Sequence, residues 1–72
     1  MSEPSKEIEK KYSYDRNQLV GFLTRFRDGV DAGEVHIEDE SIQIPEGVME
    51  VEYGFKIEKG KKEIEIEIKW KG

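Results

Sequence analysis

The side chains able to do chemistry in this sequence are few, and most lie in its middle and its last third. His36 is the one histidine. Imidazole titrates near neutrality, which makes it the first candidate for a general base or a metal ligand. Val35 and Ile37 alternate with it in a strand pattern that turns them inward, so His36 faces solvent beside Glu38 on its own strand or Gln43 across a turn. Glu38, Asp39 and Glu40, with Asp28 and Asp31 upstream, offer hard oxygen ligands for a divalent cation. They lack the glycine-punctuated Asp/Asn spacing of a calcium loop, and a solvated acidic turn is the expected role. A small-ligand or divalent-metal binder near His36 and Glu38 to Glu40 is the alternative reading of these residues.

Glu63, Glu65 and Glu67 form a second acidic set, at alternate positions and so on one face of a strand. Paired carboxylates share acid and base duties in hydrolases. Here lysines on the adjoining strand would hold them ionised, the opposite of a tuned acid. None of Ser2, Ser5, Ser13 and Ser41 stands in a nucleophile motif, and no glycine-rich phosphate loop occurs. Lys59, Lys61 and Lys62 surround one turn, but glutamates share their strands and the net charge is -5, which argues against a phosphate-binding face. With no cysteine, thiolate and disulfide chemistry are excluded. No catalytic residue, metal site or cofactor is expected, and neither a nucleic acid nor a membrane is expected as a partner.

The elements that position these groups follow from hydrophobic period. Residues 1–5 read as a disordered tail and residues 6–72 as one domain. From Lys6, Ile8, Lys10 and Tyr12 alternate with charged residues as a first strand, with Lys10 marking a sheet edge. Ser13 is the expected N-cap of a helix, with Asp15 in its first turn. The helix stripe is Leu19, Phe22, Leu23, Phe26 and Val30, and Gly33 is its stop. Gly21 and Gly29 either weaken that helix or admit a close neighbour. Val35 and Ile37, then Ile42 and Ile44, make two short strands, and Pro45-Glu46-Gly47 turns the chain. Met49, Val51, Tyr53, Phe55 and Ile57 share one face of a longer strand, and Ile64, Ile66, Ile68 and Trp70 share one face of the last.

Pairing Ile57 with Ile64, Phe55 with Ile66, Tyr53 with Ile68 and Val51 with Trp70 matches Lys56 with Glu65, Glu52 with Lys69 and Glu50 with Lys71 on the polar side. A shift of two residues keeps the faces consistent but sets Ile57 against Lys62. The first strand pairs with the last, with Lys11 opposite Glu67, or else runs parallel to the second strand as a βαβ unit. The expected fold is therefore α+β, with topology β-α-β-β-β-β. Its five-stranded, mainly antiparallel sheet has order 2-3-4-5-1, and the helix is packed across the apolar face.

The last strand, Glu63-Ile64-Glu65-Ile66-Glu67-Ile68, runs into Lys69-Trp70-Lys71. Acidic–aliphatic alternation ending in basic–Trp–basic resembles the amphi-Trp domain family of small bacterial and archaeal proteins. The acidic first strand, the helix after Ser13, Gly33 and the hairpin from Val35 to Pro45 match in order. Phe22 and Phe26 stand where the family often has smaller aliphatics. The resemblance implies the fold described above and carries no catalytic residues.

In 72 residues, 35% hydrophobic and 40% charged, there is material for one small core. Stability that is modest, or else helped by self-association, is expected. The leading functional expectation is a non-catalytic protein-interaction or accessory module. Trp70 and Met49, flanked by Lys69 and Lys71, form its interaction surface. Neither a signal region nor a long apolar run is present, and a cytoplasmic location is the default expectation.

Overall fold

The structure is a computed structural model and describes residues 5–71. Apart from Ser5, the tail expected over residues 1–5 lies outside the described residues. Helix α1 spans Arg16–Ala32 and is capped by Asp15, not Ser13. The Asp15 carboxylate accepts from the Gln18 backbone N–H at 2.8 Å, and Gln18 Oε1 accepts from the Asp15 N–H at 3.0 Å. This reciprocal box needs an acceptor side chain three residues beyond the cap. From Ser13 that position is Arg16, which has none to offer. Gly33 ends the helix at φ 85° as expected, its N–H donating to the Val30 carbonyl at 3.1 Å.

Strands β1 (Glu34–Ile37) and β2 (Glu40–Gln43) form an antiparallel hairpin around Glu38 and Asp39. The Ile44 N–H donates to the Gly33 carbonyl at 2.9 Å and ties the end of β2 to the helix terminus. α1 packs on β1, and Phe22, Phe26, Val30, Val35, Ile37 and Ile42 are half-buried there.

Strands β3 (Glu50–Glu58) and β4 (Lys61–Lys69) form a second antiparallel hairpin. Its register is the one displaced by two residues from expectation. Val51 faces Ile68, Tyr53 faces Ile66, Phe55 faces Ile64 and Ile57 faces Lys62. The turn decides this. Lys59 at φ 49° and Gly60 at φ 80° fill a two-residue turn with both central residues left-handed, the type whose twist suits a hairpin. The aliphatic stem of Lys62 can lie along Ile57 while its ammonium reaches water, so the mismatch that argued against this register costs little.

The five-stranded sheet does not form. The strands make two separate two-stranded sheets, β1-β2 and β3-β4, and the chain order is α-β-β-β-β. Residues 6–12 belong to no strand, so neither the order 2-3-4-5-1 nor the parallel alternative is realised. Their charges find partners at the β1–β2 turn instead. Lys6 pairs with Glu40 at 2.9 Å and Lys10 with Glu38 at 3.5 Å, while Glu67, expected opposite Lys11, is taken by Lys69 on its own strand at 3.2 Å. Nor does α1 cover β3–β4, whose strands pack only on each other.

No side chain among the described residues is fully buried. The radius of gyration is 14.4 Å, against about 11 Å for a compact chain of this length. The accessible surface is 7231 Å², against roughly 4,600 Å² for a folded monomer of this mass.

Candidate interaction surface

Alternation along β3 and β4 separates their side chains into two faces. One carries Val51, Tyr53, Phe55 and Ile57 on β3, and Ile64, Ile66 and Ile68 on β4. Tyr53 is 77% exposed and Ile66 55%, values typical of surface loops and not of the apolar side of a sheet. The strip is nine residues long, about 30 Å.

The opposite face is an ion-pair ladder. Lys56 Nζ lies 3.5 Å from Glu63 and 3.2 Å from Glu65, and Lys69 Nζ lies 3.5 Å from Glu52 and 3.2 Å from Glu67. The pairs Lys56–Glu65 and Glu52–Lys69 expected from the sequence both form, diagonally, in the displaced register. Lys69 also bridges Glu52 and Glu67, which oppose each other directly and would repel. The bond to Glu65, then the charges of Glu63 and Glu65, raise the Lys56 ammonium above its ordinary value. Lys69 is raised by its bond to Glu67 and by the charges of Glu52 and Glu67, and the same bond holds the Glu67 carboxyl low. The Glu65 carboxyl is held low as well, by its bonds to Glu63 and Lys56 and by the Lys56 charge.

Met49 and Trp70 stand one residue beyond the last pair, Glu50–Lys69, at the open end of the hairpin. Met49 and Ile68 are half-buried and Trp70 is 37% exposed, all better covered than Val51 at 62%. Lys69 is held in the ladder, and Lys71 is exposed. The anticipated patch is thus the open end of a longer apolar strip. Its centre, at Tyr53, Phe55, Ile64 and Ile66, had been assigned to the core because the alternation pattern is the same whether or not a layer covers it.

His36 faces solvent as expected and meets Glu34, its Nε2 2.8 Å from Glu34 Oε1. Gln43 Nε2 donates to the same carboxylate at 2.9 Å. The Gln43 bond, then Ser41, and to a lesser degree His36, hold Glu34 below the ordinary carboxyl range. Glu38 and Glu40 turn to Lys10 and Lys6 and do not converge on His36. Among the described residues no three acidic or histidine side chains are grouped to hold a metal. Beside His36 lies a groove of about 590 Å³ lined by Tyr12, Tyr14, Phe22, Arg25 and Val35, among others. Tyr12 and Tyr14 stack at 5.0 Å, and Phe22 lies 5.8 Å from the Tyr12 ring. Sequence reasoning missed this cluster. Its one signal was the spacing of Tyr12 and Tyr14, which a strand ending at Tyr12 and a helix cap at Ser13 assign to different elements.

No family model, curated protein or solved structure matches this chain. No helix among the described residues is long and apolar enough to cross a membrane.

Proposed function

We propose that this chain is a non-catalytic protein-interaction module whose working surface is the apolar face of the β3–β4 hairpin. One observation carries the reading: a strip of aromatic and aliphatic side chains, each more than half exposed from Val51 to Ile57, is covered by no other element among the described residues. Contiguous apolar surface of this extent marks interaction sites, since its hydration is costly. The ladder on the other face keeps that side solvated and leaves one face to bind. The strand that resembles the amphi-Trp pattern supplies half of the strip, and Met49 together with Trp70, which stands between Lys69 and Lys71, extends it beyond the last pair Glu50–Lys69.

A photoreactive phenylalanine analogue placed at Tyr53, on the apolar face, or at Lys56, on the ladder, tests the reading. Adducts with protein at position 53 and none at 56 are expected. Equal labelling at both positions, or none at 53, defeats it. A second reading rests on the groove beside His36, whose volume lies in the range of small-molecule sites. It calls for saturable shifts at Tyr12, Tyr14 and His36 when small aromatic acids are titrated, and their absence removes it.

A further inference from the structure

The β3–β4 sheet has an open edge on each side, since it contains two strands and pairs with no third among the described residues. In a two-residue hairpin the pair that closes the turn exchanges hydrogen bonds, and every second pair repeats it. Here the closing pair is Glu58–Lys61. Glu50, Glu52, Gly54, Lys56 and Glu58 therefore turn their backbone groups to β4, while Val51, Tyr53, Phe55 and Ile57 present theirs at the β3 edge. Proline and bulges, which guard many exposed edges, are absent from β3.

Gly54 sits at the middle of this strand and has no explanation within one copy. Its φ is not positive, the pairing runs through it without a bulge, and an added Cβ would meet nothing within 4 Å. Glycine in a strand interior lowers stability and marks the close approach of another backbone.

We propose that β3 pairs antiparallel with β3 of a second copy, about a two-fold axis at Gly54, to make a four-stranded sheet of order β4-β3-β3-β4. Over the full strand this register sets Glu52 against Lys56 twice, Tyr53 against Phe55 and Val51 against Ile57. Glu50 and Glu58 meet at the ends, where each already faces a lysine on β4. A residue on a two-fold axis meets its own copy. Every other residue of the ladder face is charged, so a side chain of that kind at position 54 would repel itself, and glycine does not. The β4 edge fails the same comparison. Paired with itself over its full length it sets Lys61 against Lys69, Glu63 against Glu67 and Glu65 against Glu65. A shift of two residues either way still brings Glu65 against a glutamate.

The four outward-facing residues of each β3 supply about eight backbone hydrogen bonds between the copies. Four strands with a common apolar face also meet the requirement for a stable sheet that two strands do not. The proposal uses the edge of the hairpin and not its face, so it goes beyond the interaction reading, and each can fail alone.

The chain has no cysteine, so a single one reports on its own position. Gly54→Cys should close into a disulfide-linked dimer in a mild redox buffer, since Cα atoms in such a facing pair stand about 4.5 Å apart. Glu65→Cys, opposite Gly54 on β4, should remain reduced. Equal crosslinking of the two overturns the proposal. The native chain gives an independent measurement, by sedimentation equilibrium and isotope-filtered NMR on mixed labelled and unlabelled protein. A dimer with interchain contacts from Tyr53 to Phe55 is expected. A monomer, or a dimer whose interchain contacts run between apolar faces or along β4, overturns the proposal. Adducts of the position-53 probe with a second copy report the edge and adducts with other proteins report the face, which keeps the two failures apart. Glu52→Lys puts a lysine opposite Glu67 within the hairpin and opposite Lys56 across the edge. It should keep the hairpin and weaken the dimer roughly tenfold, because two attractive pairs become repulsive. Unchanged affinity in a folded variant counts against the proposal.

Discussion

Two glycines in one helix play different parts. At Gly29 an added Cβ would stand 2.8 Å from the Glu34 carbonyl oxygen, so the absent side chain is what lets β1 pass close to α1. At Gly21 the nearest atom is the tip of Arg25 at 3.5 Å, ordinary contact. Gly21→Ala should therefore stabilise by about 1 kcal/mol. Gly29→Ala should destabilise by a similar or larger amount as backbone yields, and paired thermal melts decide both. Glu34 offers a second check. Its carboxyl is held below the ordinary 4.5 by Gln43 first and Ser41 second. A depressed carboxyl contributes stability above its unfolded value, and the contribution is lost as pH falls through the folded one. Gln43→Ala should move the Glu34 midpoint upward in a carbon-detected NMR titration.

The β3–β4 hairpin has its register set by its turn and its two faces set by alternation. Lys59 occupies a left-handed position that asparagine tolerates better. Lys59→Asn should raise hairpin stability by about 0.5–1 kcal/mol without moving the register, as seen in the melting temperature and in unchanged cross-strand NOEs from Tyr53 to Ile66. The ladder gives the element a pH dependence. Lys56 and Lys69 are raised above 10.5 by their glutamates. A raised lysine contributes below its unfolded value, and the contribution is lost as pH climbs through the folded one. Melts from neutral pH to above 10.5 should show a decline in the native hairpin that Lys56→Met reduces. These charges are exposed, so added salt should reduce the effect too.

At the scale of the whole chain, what stands out is the missing layer. Two small bodies, α1 with β1–β2 and the β3–β4 hairpin, each keep an apolar strip toward solvent, and no core joins them. A lone two-stranded hairpin is marginal in water, so its stability should depend on whatever covers it. If that cover is a second copy, the melting temperature rises with protein concentration, because association is coupled to folding. Calorimetry over a hundredfold concentration range checks this, and a constant midpoint speaks for a monomer.

Much of the local structure was legible in the sequence because it depends on neighbours a few residues apart. The α1 stripe, the Gly33 cap, both hairpins, the outward His36 and the charge pairs of β3–β4 are all local in this sense. The cap at Asp15 was legible in principle, since Gln18 stands three residues on. Which hydrophobic face covers which was not. Alternation states that a strand has an apolar side without stating what lies against it, and the charges of residues 6–11 could be matched at β4, with Lys11 opposite Glu67, or at the β1–β2 turn, where Lys6 and Lys10 find Glu40 and Glu38. The assembly of these elements depends on contacts between segments distant in sequence and on how much area each arrangement buries. Only the tertiary structure decided that, by setting the two apolar strips apart and leaving both open.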